Sequence, residues 1–164
     1  MQSQRCAAAD LAALGREWIS AWNSHDLERI LALYAEDAEM TSDRIQALDL
    51  AAGGTLRGKA NLRMYWSKAF ALLPNLHFDL IDTYVSPDSV VVFYQNERGA
   101  QICEYLRLDA GGKIRQGSAN HLAHQHRPRR VDKAQRAHHS ATKYVDRWWA
   151  RFALPTLRTK DSPA

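Results

Sequence analysis

The stretch WNSHDLERILALYAEDA, residues 22–38, marks where one predicted helix ends and the next one begins. Asn23 and Ser24 interrupt an apolar pattern, and Asp26 is a good N-cap for a second, short helix. Apolar residues with three- and four-residue spacing define the buried face of the first helix, at Leu11, Leu14, Trp18, Ala21 and Trp22. The second helix is predicted to carry Leu27, Ile30, Leu31 and Tyr34.

A third helix is predicted to begin after Gly58 and to end before Pro74. Its apolar face holds Leu62, Tyr65, Trp66, Ala69, Phe70 and Leu73. The sequence between the second and third helices, residues 38–57, has no regular apolar period. We therefore expect an irregular segment there.

After Pro74 the apolar period changes to two, which is typical of half-buried strands. Turn signals at residues 86–88, 98–99 and 109–112 separate four predicted strands. Three helices followed by four meandering strands predict an α+β fold. The helices are expected to pack on one face of a curved antiparallel sheet.

Charge divides the chain into two parts. Residues 1–124 hold 12 Lys and Arg against 15 Asp and Glu, whereas residues 125–164 hold 10 against 3. We therefore expect one domain over residues 8–124 and a basic tail over 125–164, with an amphipathic helix at about 130–153. The apolar stripe of the tail favours packing on the body or on a second subunit over binding to nucleic acid or to an anionic membrane.

Length and composition exclude several classes of protein. A chain of 164 residues with 46% hydrophobic and 24% charged residues is typical of one globular domain. No apolar run is long enough to span a membrane, and the first ten residues lack the pattern of a secretion signal. The two cysteines, Cys6 and Cys103, do not make a disulfide framework, so we expect a cytoplasmic protein.

The order of these elements from Trp18 to His121 resembles the SnoaL-like branch of the nuclear-transport-factor-2-like superfamily, which includes ketosteroid isomerases. The matching pieces lie at residues 22–27, 33–38, 56–59, 65–66, 76–78 and 104–114. The resemblance implies a cone-shaped α+β barrel that encloses a pocket for a small, often apolar molecule. It also implies a homodimer formed through the outer face of the sheet, with no metal and no organic cofactor.

Ketosteroid isomerases use a carboxylate in the loop after the second matching piece as a general base. By that register the base position is Ser42, and Asp43 follows it. A serine does not move protons unaided near neutral pH, whereas a carboxylate in an apolar cavity does, because desolvation raises its pKa. Asp43 is therefore a catalytic candidate. The alternative is a solvated loop acid paired with Arg44.

Glu104 shares a predicted strand face with Ile102, Leu106 and Leu108, which alternation turns towards the interior. A buried carboxylate is costly unless it is paired or protonated. Glu104 is therefore a candidate for proton transfer or ligand contact. The alternative is an internal pair with Arg63 or His121.

The fourth strand closes with Asn120 and His121, and alternation turns only one of them inwards. A histidine can act as acid, base or hydrogen-bond donor, and an asparagine can orient a ligand oxygen. Five aromatic residues are candidates for the pocket wall and equally for the core: Trp22, Tyr34, Trp66, Phe78 and Tyr94.

Two motifs suggest other ligands only weakly. Gly53 and Gly58-Lys59 have the spacing of a phosphate-binding loop, but Ala60 lacks the hydroxyl that such a loop offers to magnesium. The histidines 121, 124, 126, 138 and 139 lack carboxylates or thiolates at zinc-ligand spacing. We therefore expect neither a nucleotide nor a metal.

These observations predict a protein that binds a small, mostly apolar organic molecule. As an enzyme, it would use Glu104, His121 and Asp43 to handle protons in an isomerisation or cyclisation. A non-catalytic ligand-sensing or protein-interaction module is the alternative, and the serine at position 42 supports it. The residues alone do not decide between the two.

Overall fold

The computed structural model of the protein describes residues 8–122. Its helices are α1 (Ala8–Asn23), α2 (Leu27–Ala32), α3 (Asp43–Ala47) and α4 (Lys59–Leu72). Its strands are β1 (Tyr34–Thr41), β2 (Thr55–Arg57), β3 (Phe78–Ser86), β4 (Ser89–Asn96), β5 (Gln101–Leu108) and β6 (Ile114–His121). The tail helix predicted at about 130–153 lies outside the described residues.

The six strands form one sheet in the order β2-β1-β6-β5-β4-β3. The predicted antiparallel meander is confirmed as β3 to β6. β1 joins it in parallel beside β6, and β2 pairs antiparallel with β1. The fold is therefore α+β, as predicted, with a mixed sheet.

Two expectations for the segment before α4 are wrong. Tyr34 begins β1 and does not belong to α2, and residues 38–57 contain half of β1 together with α3 and β2. The sequence of β1 is YAEDAEMT, in which polar residues interrupt the alternation of a strand. β1 is a strand because β6, from the far end of the domain, pairs with it.

The loop between α1 and α2 attaches the helices to the sheet. The side chain of Asn23 accepts from the backbone N–H of Phe78 at 2.8 Å and donates to its carbonyl at 2.9 Å. His25 has a φ of 54°, and its Nε2 lies 2.7 Å from the carbonyl oxygen of Leu76. Asp26 accepts from a backbone N–H in the first turn of α2, which confirms the predicted N-cap.

The helices cover the inner face of the sheet unequally. Gly15 lets α1 lie close to the sheet, since a Cβ atom there would be 2.9 Å from Cγ2 of Thr83. Six residues of α1 are buried: Leu11, Gly15, Trp18, Ile19, Ala21 and Trp22. Only Leu62 and Trp66 are buried in α4. The wall of the interior that α1 forms is therefore firmly packed, and the wall that α4 forms is lightly packed.

Candidate functional site

A carboxyl group lies on the inner face of the sheet. Glu104 is in the middle of β5, opposite Val92 of β4 and Ala119 of β6. It is only 2% exposed, and its neighbours on the same face, Ile102 and Leu106, are also buried. The side chain of Glu104 points towards the interior, as the alternation of side chains along a strand predicts.

Burial sets the protonation state of Glu104. The Tyr94 hydroxyl donates a hydrogen bond to Oε2 at 3.4 Å, and Oε1 has no hydrogen-bond partner within residues 8–122. Loss of solvation raises the pKa of Glu104 to about 8, against the opposing effect of the Tyr94 hydrogen bond. At pH 7 the group is therefore mostly a neutral carboxylic acid, which can donate a proton.

The partners considered for Glu104 on sequence grounds are engaged elsewhere. Arg63 pairs with Glu28 at the surface, so the predicted internal pair with Arg63 is wrong. His121 Nδ1 contacts the carboxylate of Asp43 instead. No basic side chain therefore balances a charge on Glu104 in the described part of the chain, which favours the neutral form.

Three tyrosines surround this carboxyl group. Burial raises the pKa values of Tyr34, Tyr65 and Tyr94, and the proximity of Glu104 raises each of them further. The Tyr34 oxygen accepts a hydrogen bond from Trp18 Nε1 at 2.9 Å. Glu104 thus lies among phenol groups that stay protonated, and these can donate hydrogen bonds to an oxygen.

A contact between a histidine and a carboxylate lies at the end of β6. His121 Nδ1 lies 3.1 Å from Asp43 Oδ1, and the imidazole is largely buried whereas the carboxylate is about one-third exposed. His121 is opposite Ile102, so it shares the inner face with Glu104. Two of the predicted proton-handling residues, Asp43 and His121, are therefore in contact. The third, Glu104, is a diagonal neighbour of His121 across the strands.

Residue 42 has a structural role beside this pair. The Ser42 hydroxyl is the N-cap of α3, where it accepts from the backbone N–H of Arg44 at 3.1 Å. It also forms a hydrogen bond with Tyr65 of α4. Tyr65 thereby lies near both Asp43 and Glu104. The sequence pattern predicts only that Tyr65 lies on the apolar face of its helix. Its position next to Trp66 is the one sequence feature that points to this site.

The five predicted pocket-wall aromatics come together in a single cluster. Trp22 contacts Trp66 and Phe78 with ring centroids 5.4 and 5.6 Å apart. Tyr34 contacts Trp66 at 4.9 Å, and Tyr94 contacts Phe78 at 4.4 Å. These rings pack against one another, as core aromatics do.

Asn120 is not brought to this site. It is opposite Cys103, on the outer face of the sheet, and it is exposed. Its Nδ2 donates to the backbone carbonyls of Cys103 and Ser118. Of the two residues that close β6, His121 faces inwards, so the prediction that Asn120 orients a ligand oxygen in the pocket is wrong.

Two surface clefts, with volumes of about 420 and 360 Å³, lie away from these residues. The larger is lined by charged side chains that include Asp37, Arg107 and Arg115. The smaller lies between the start of α1 and the turn before β6. Neither cleft is lined by Glu104.

The two weaker motifs also have structural settings. Gly58 is the N-cap of α4, and Lys59 forms an ion pair with Glu36 at 2.7 Å. Within residues 8–122 no three side chains of His, Cys, Asp or Glu are grouped as metal ligands. The histidines beyond His121 lie outside the described residues.

Residues 15–117 match the family model of the SnoaL-like domain. The chain belongs to the SnoaL-like family. Its fold is similar to that of a SnoaL-like protein of unknown function from Burkholderia thailandensis E264, with 33% sequence identity and a TM-score of 0.69. That similarity covers 73% of this chain and 100% of the other.

Two less similar solved structures share the fold alone. A candidate polyketide cyclase from Sinorhizobium meliloti has 14% identity and a TM-score of 0.57, over 73% of this chain and 100% of the other. TerC, co-crystallised with polyporic acid, has 19% identity and a TM-score of 0.56, over 70% and 91%. No curated protein matches the chain. None of the helices within residues 8–122 has the length and apolarity to cross a membrane.

Proposed function

We propose that this SnoaL-like protein binds a small, mostly apolar ketone or related molecule and moves a proton on it, as an isomerase or cyclase. The observation that carries the proposal is Glu104, a buried carboxyl with a raised pKa and one oxygen without a partner in the described part of the chain. A buried acid of this kind is typical of functional sites.

Glu104 and His121 have complementary roles in this proposal. Asp43 beside Nδ1 favours a proton on that nitrogen, which leaves Nε2 of His121 as the base. Glu104 and His121 are diagonal neighbours on paired strands, and such neighbours lie roughly 7–8 Å apart. A carbonyl group and its α-carbon are proposed to bridge the two side chains.

The proposed reaction is a proton shift through an enol. His121 Nε2 takes a proton from the α-carbon, and the C–H electrons form the carbon–carbon double bond while the carbonyl electrons move to oxygen. The neutral carboxyl of Glu104 donates a hydrogen bond or its proton to that oxygen. In a β,γ-unsaturated ketone, His121 then returns the proton to the γ-carbon, the enol electrons re-form the carbonyl, and any proton given to the oxygen goes back to Glu104. The double bond moves into conjugation with the carbonyl, both side chains regain their starting states, and nothing is oxidised or reduced.

Access to Glu104 is proposed to involve α4. Trp66 and Phe70 of α4 cover the aromatic cluster, yet this helix has two buried residues, Leu62 and Trp66, against six in α1. The N-cap of α4 is Gly58, which makes no side-chain capping hydrogen bond. α4 is therefore the wall that a ligand displaces at the lowest cost.

The comparisons support a ligand of this class. SnoaL-like proteins bind small organic ligands, and the fold is shared with a candidate polyketide cyclase and with a candidate ketosteroid isomerase from Kribbella flavida. TerC was crystallised with polyporic acid.

Deuterium exchange into 2-tetralone tests the proposal, since this flat ketone has an acidic α-carbon. The wild-type protein should accelerate exchange in D₂O, and His121→Gln should lower the rate of the accelerated exchange about 100-fold. Glu104→Leu should also lower it, whereas Glu36→Gln, at an exposed surface pair, should not. Wild-type exchange equal to that in buffer would overturn the proposed proton transfer.

A non-catalytic ligand-sensing or interaction module is the second candidate. The aromatic contacts favour it, because the rings of Trp22, Trp66 and Phe78 fill the interior beside Glu104 as a core does. Binding of 2-tetralone by the wild-type protein without exchange would select this candidate.

A homodimer through the outer face of the sheet is also proposed. Tyr84 is 59% exposed there, and it lies opposite Val91, with Phe93 and Tyr105 on the same face. Apolar and aromatic side chains on one face are typical of interface cores. Sedimentation equilibrium should give a dimer that Tyr84→Asp converts to a monomer, and a monomeric wild-type protein would contradict this.

A further inference from the structure

Trp18 and Trp22 lie one turn apart on α1 and differ in one respect. Both are buried, at 2% and 8% exposure. Trp18 Nε1 donates to the Tyr34 hydroxyl at 2.9 Å. Trp22 Nε1 is fully buried and has no hydrogen-bond partner within residues 8–122. The two tryptophans therefore form an internal comparison of a satisfied and an unsatisfied indole N–H.

The unsatisfied N–H is costly for the fold. A buried donor without an acceptor loses its hydration and gains nothing in return. The aromatic neighbours of Trp22 are Trp18, Trp66, Phe70 and Phe78, and aromatic rings are weak acceptors.

One aromatic side chain, Trp66, separates Trp22 from the residues around Glu104. Trp66 contacts Trp22 at 5.4 Å and Tyr34 at 4.9 Å, and Tyr34 is one of the tyrosines close to Glu104. Within residues 8–122, Trp22 Nε1 and Glu104 Oε1 are thus both buried without a hydrogen-bond partner, and the aromatic rings of Trp66 and Tyr34 lie between them. Trp22 Nε1 can only donate a hydrogen bond, whereas Glu104 Oε1 belongs to a carboxyl group that can give or take a proton.

We propose that Trp22 Nε1 is a second polar anchor for the ligand, donating a hydrogen bond to an oxygen at the end opposite its reacting carbonyl. This inference rests on the proposed function, and it narrows the ligand to flat, apolar molecules with an oxygen at both ends. A bicyclic ring system matches the single indole of Trp66 that separates Trp22 from the tyrosines around Glu104.

Two fluorescent ketones test the proposal on the full chain. 2-Acetylnaphthalene has one oxygen, and 2-acetyl-6-hydroxynaphthalene has a second oxygen at the far end. The wild-type protein should bind the hydroxy ketone about fivefold more tightly, as one neutral hydrogen bond allows. Trp22→Phe should abolish that preference, so that the ratio of its affinities for the two ketones falls to about one, whereas Trp18→Phe should retain the preference.

A second measurement uses only the wild-type protein, so it does not depend on whether a variant folds. In the wild-type protein, the indole N–H proton of Trp22 should shift downfield with the hydroxy ketone and not with 2-acetylnaphthalene. Equal affinities of the wild-type protein for the two ketones, or an unmoved Trp22 signal, would overturn the anchor alone. Failure of both ketones to bind would overturn the anchor together with the proposed function.

Discussion

The interior has an aromatic half and a polar half, and they are built in opposite ways. The aromatic half consists of Trp18, Trp22, Trp66, Phe70 and Phe78, whose rings contact one another at 5.4–5.8 Å. The polar half consists of Glu104, Tyr34, Tyr65, Tyr94, His121 and Asp43. The first half stabilises the fold by apolar burial. The second holds a buried carboxyl oxygen that no described residue satisfies, and this destabilises the fold.

The largest effect is expected from removing a ring of the aromatic half. Trp18→Ala removes contacts with three other rings and leaves the Tyr34 oxygen without its donor. We expect the free energy of unfolding to fall by about 3–5 kcal/mol, measured by urea denaturation. A loss smaller than that of Met64→Ala, at an exposed methionine of α4, would contradict the expected difference between the two halves.

A change in the polar half should act in the opposite direction. Glu104→Gln keeps the shape of the side chain and removes its titration. The folded pKa of about 8 lies above the ordinary value of 4.5. The favourable contribution of the neutral acid is therefore fully present below about pH 4.5 and is lost as the pH rises through 8.

The wild-type protein should thus lose stability relative to Glu104→Gln between pH 5 and 9, by on the order of a few kcal/mol. Urea denaturation at several pH values measures the difference. Glu36→Gln, at an exposed surface pair, should follow the wild-type profile. A pH-independent gap between the wild-type protein and Glu104→Gln would mean that Glu104 does not titrate in this range.

A smaller effect is expected at the loop that ties α1 to β3. Asn23→Ala removes both side-chain hydrogen bonds to the backbone of Phe78, which belongs to the aromatic half. We expect a loss of about 1–3 kcal/mol in the free energy of unfolding, because the backbone groups of Phe78 lose their partners. An unchanged stability would show that this tie does not support the aromatic half.

The smallest effect is expected at a surface ion pair. Arg29 contacts Glu17 at 2.9 Å, and both side chains are exposed. Arg29→Ala should change the free energy of unfolding by less than about 1 kcal/mol, and added salt should shrink the difference. A larger loss would show that the interior does not dominate stability.

The sequence predicts those parts of the fold that have a local signal. α1, α2, α4 and β3 to β6 follow from apolar periodicity, and the inward orientation of Glu104 follows from alternation along β5. β1 has no such signal, since its strand conformation depends on pairing with β6.

The candidate site was less predictable for the same reason. The contact between Asp43 and His121 depends on α3 lying beside the end of β6, which no local pattern encodes. Alternation allows one of Asn120 and His121 to face inwards, and only the register with β5 selects His121. Tyr65 was missed because its hydrogen bond with Ser42 joins two elements that are separate in the sequence.

A pH titration of the Glu104 side-chain carboxyl by ¹³C NMR tests the protonation state on which the polar half depends. Uniform labelling of glutamate and comparison with Glu104→Gln identify the signal. We expect a midpoint near pH 8, with the carboxyl neutral at pH 7. A midpoint near 4.5 would contradict the account, because Glu104 would then be a charged group at neutral pH and unable to donate a proton to a ligand oxygen.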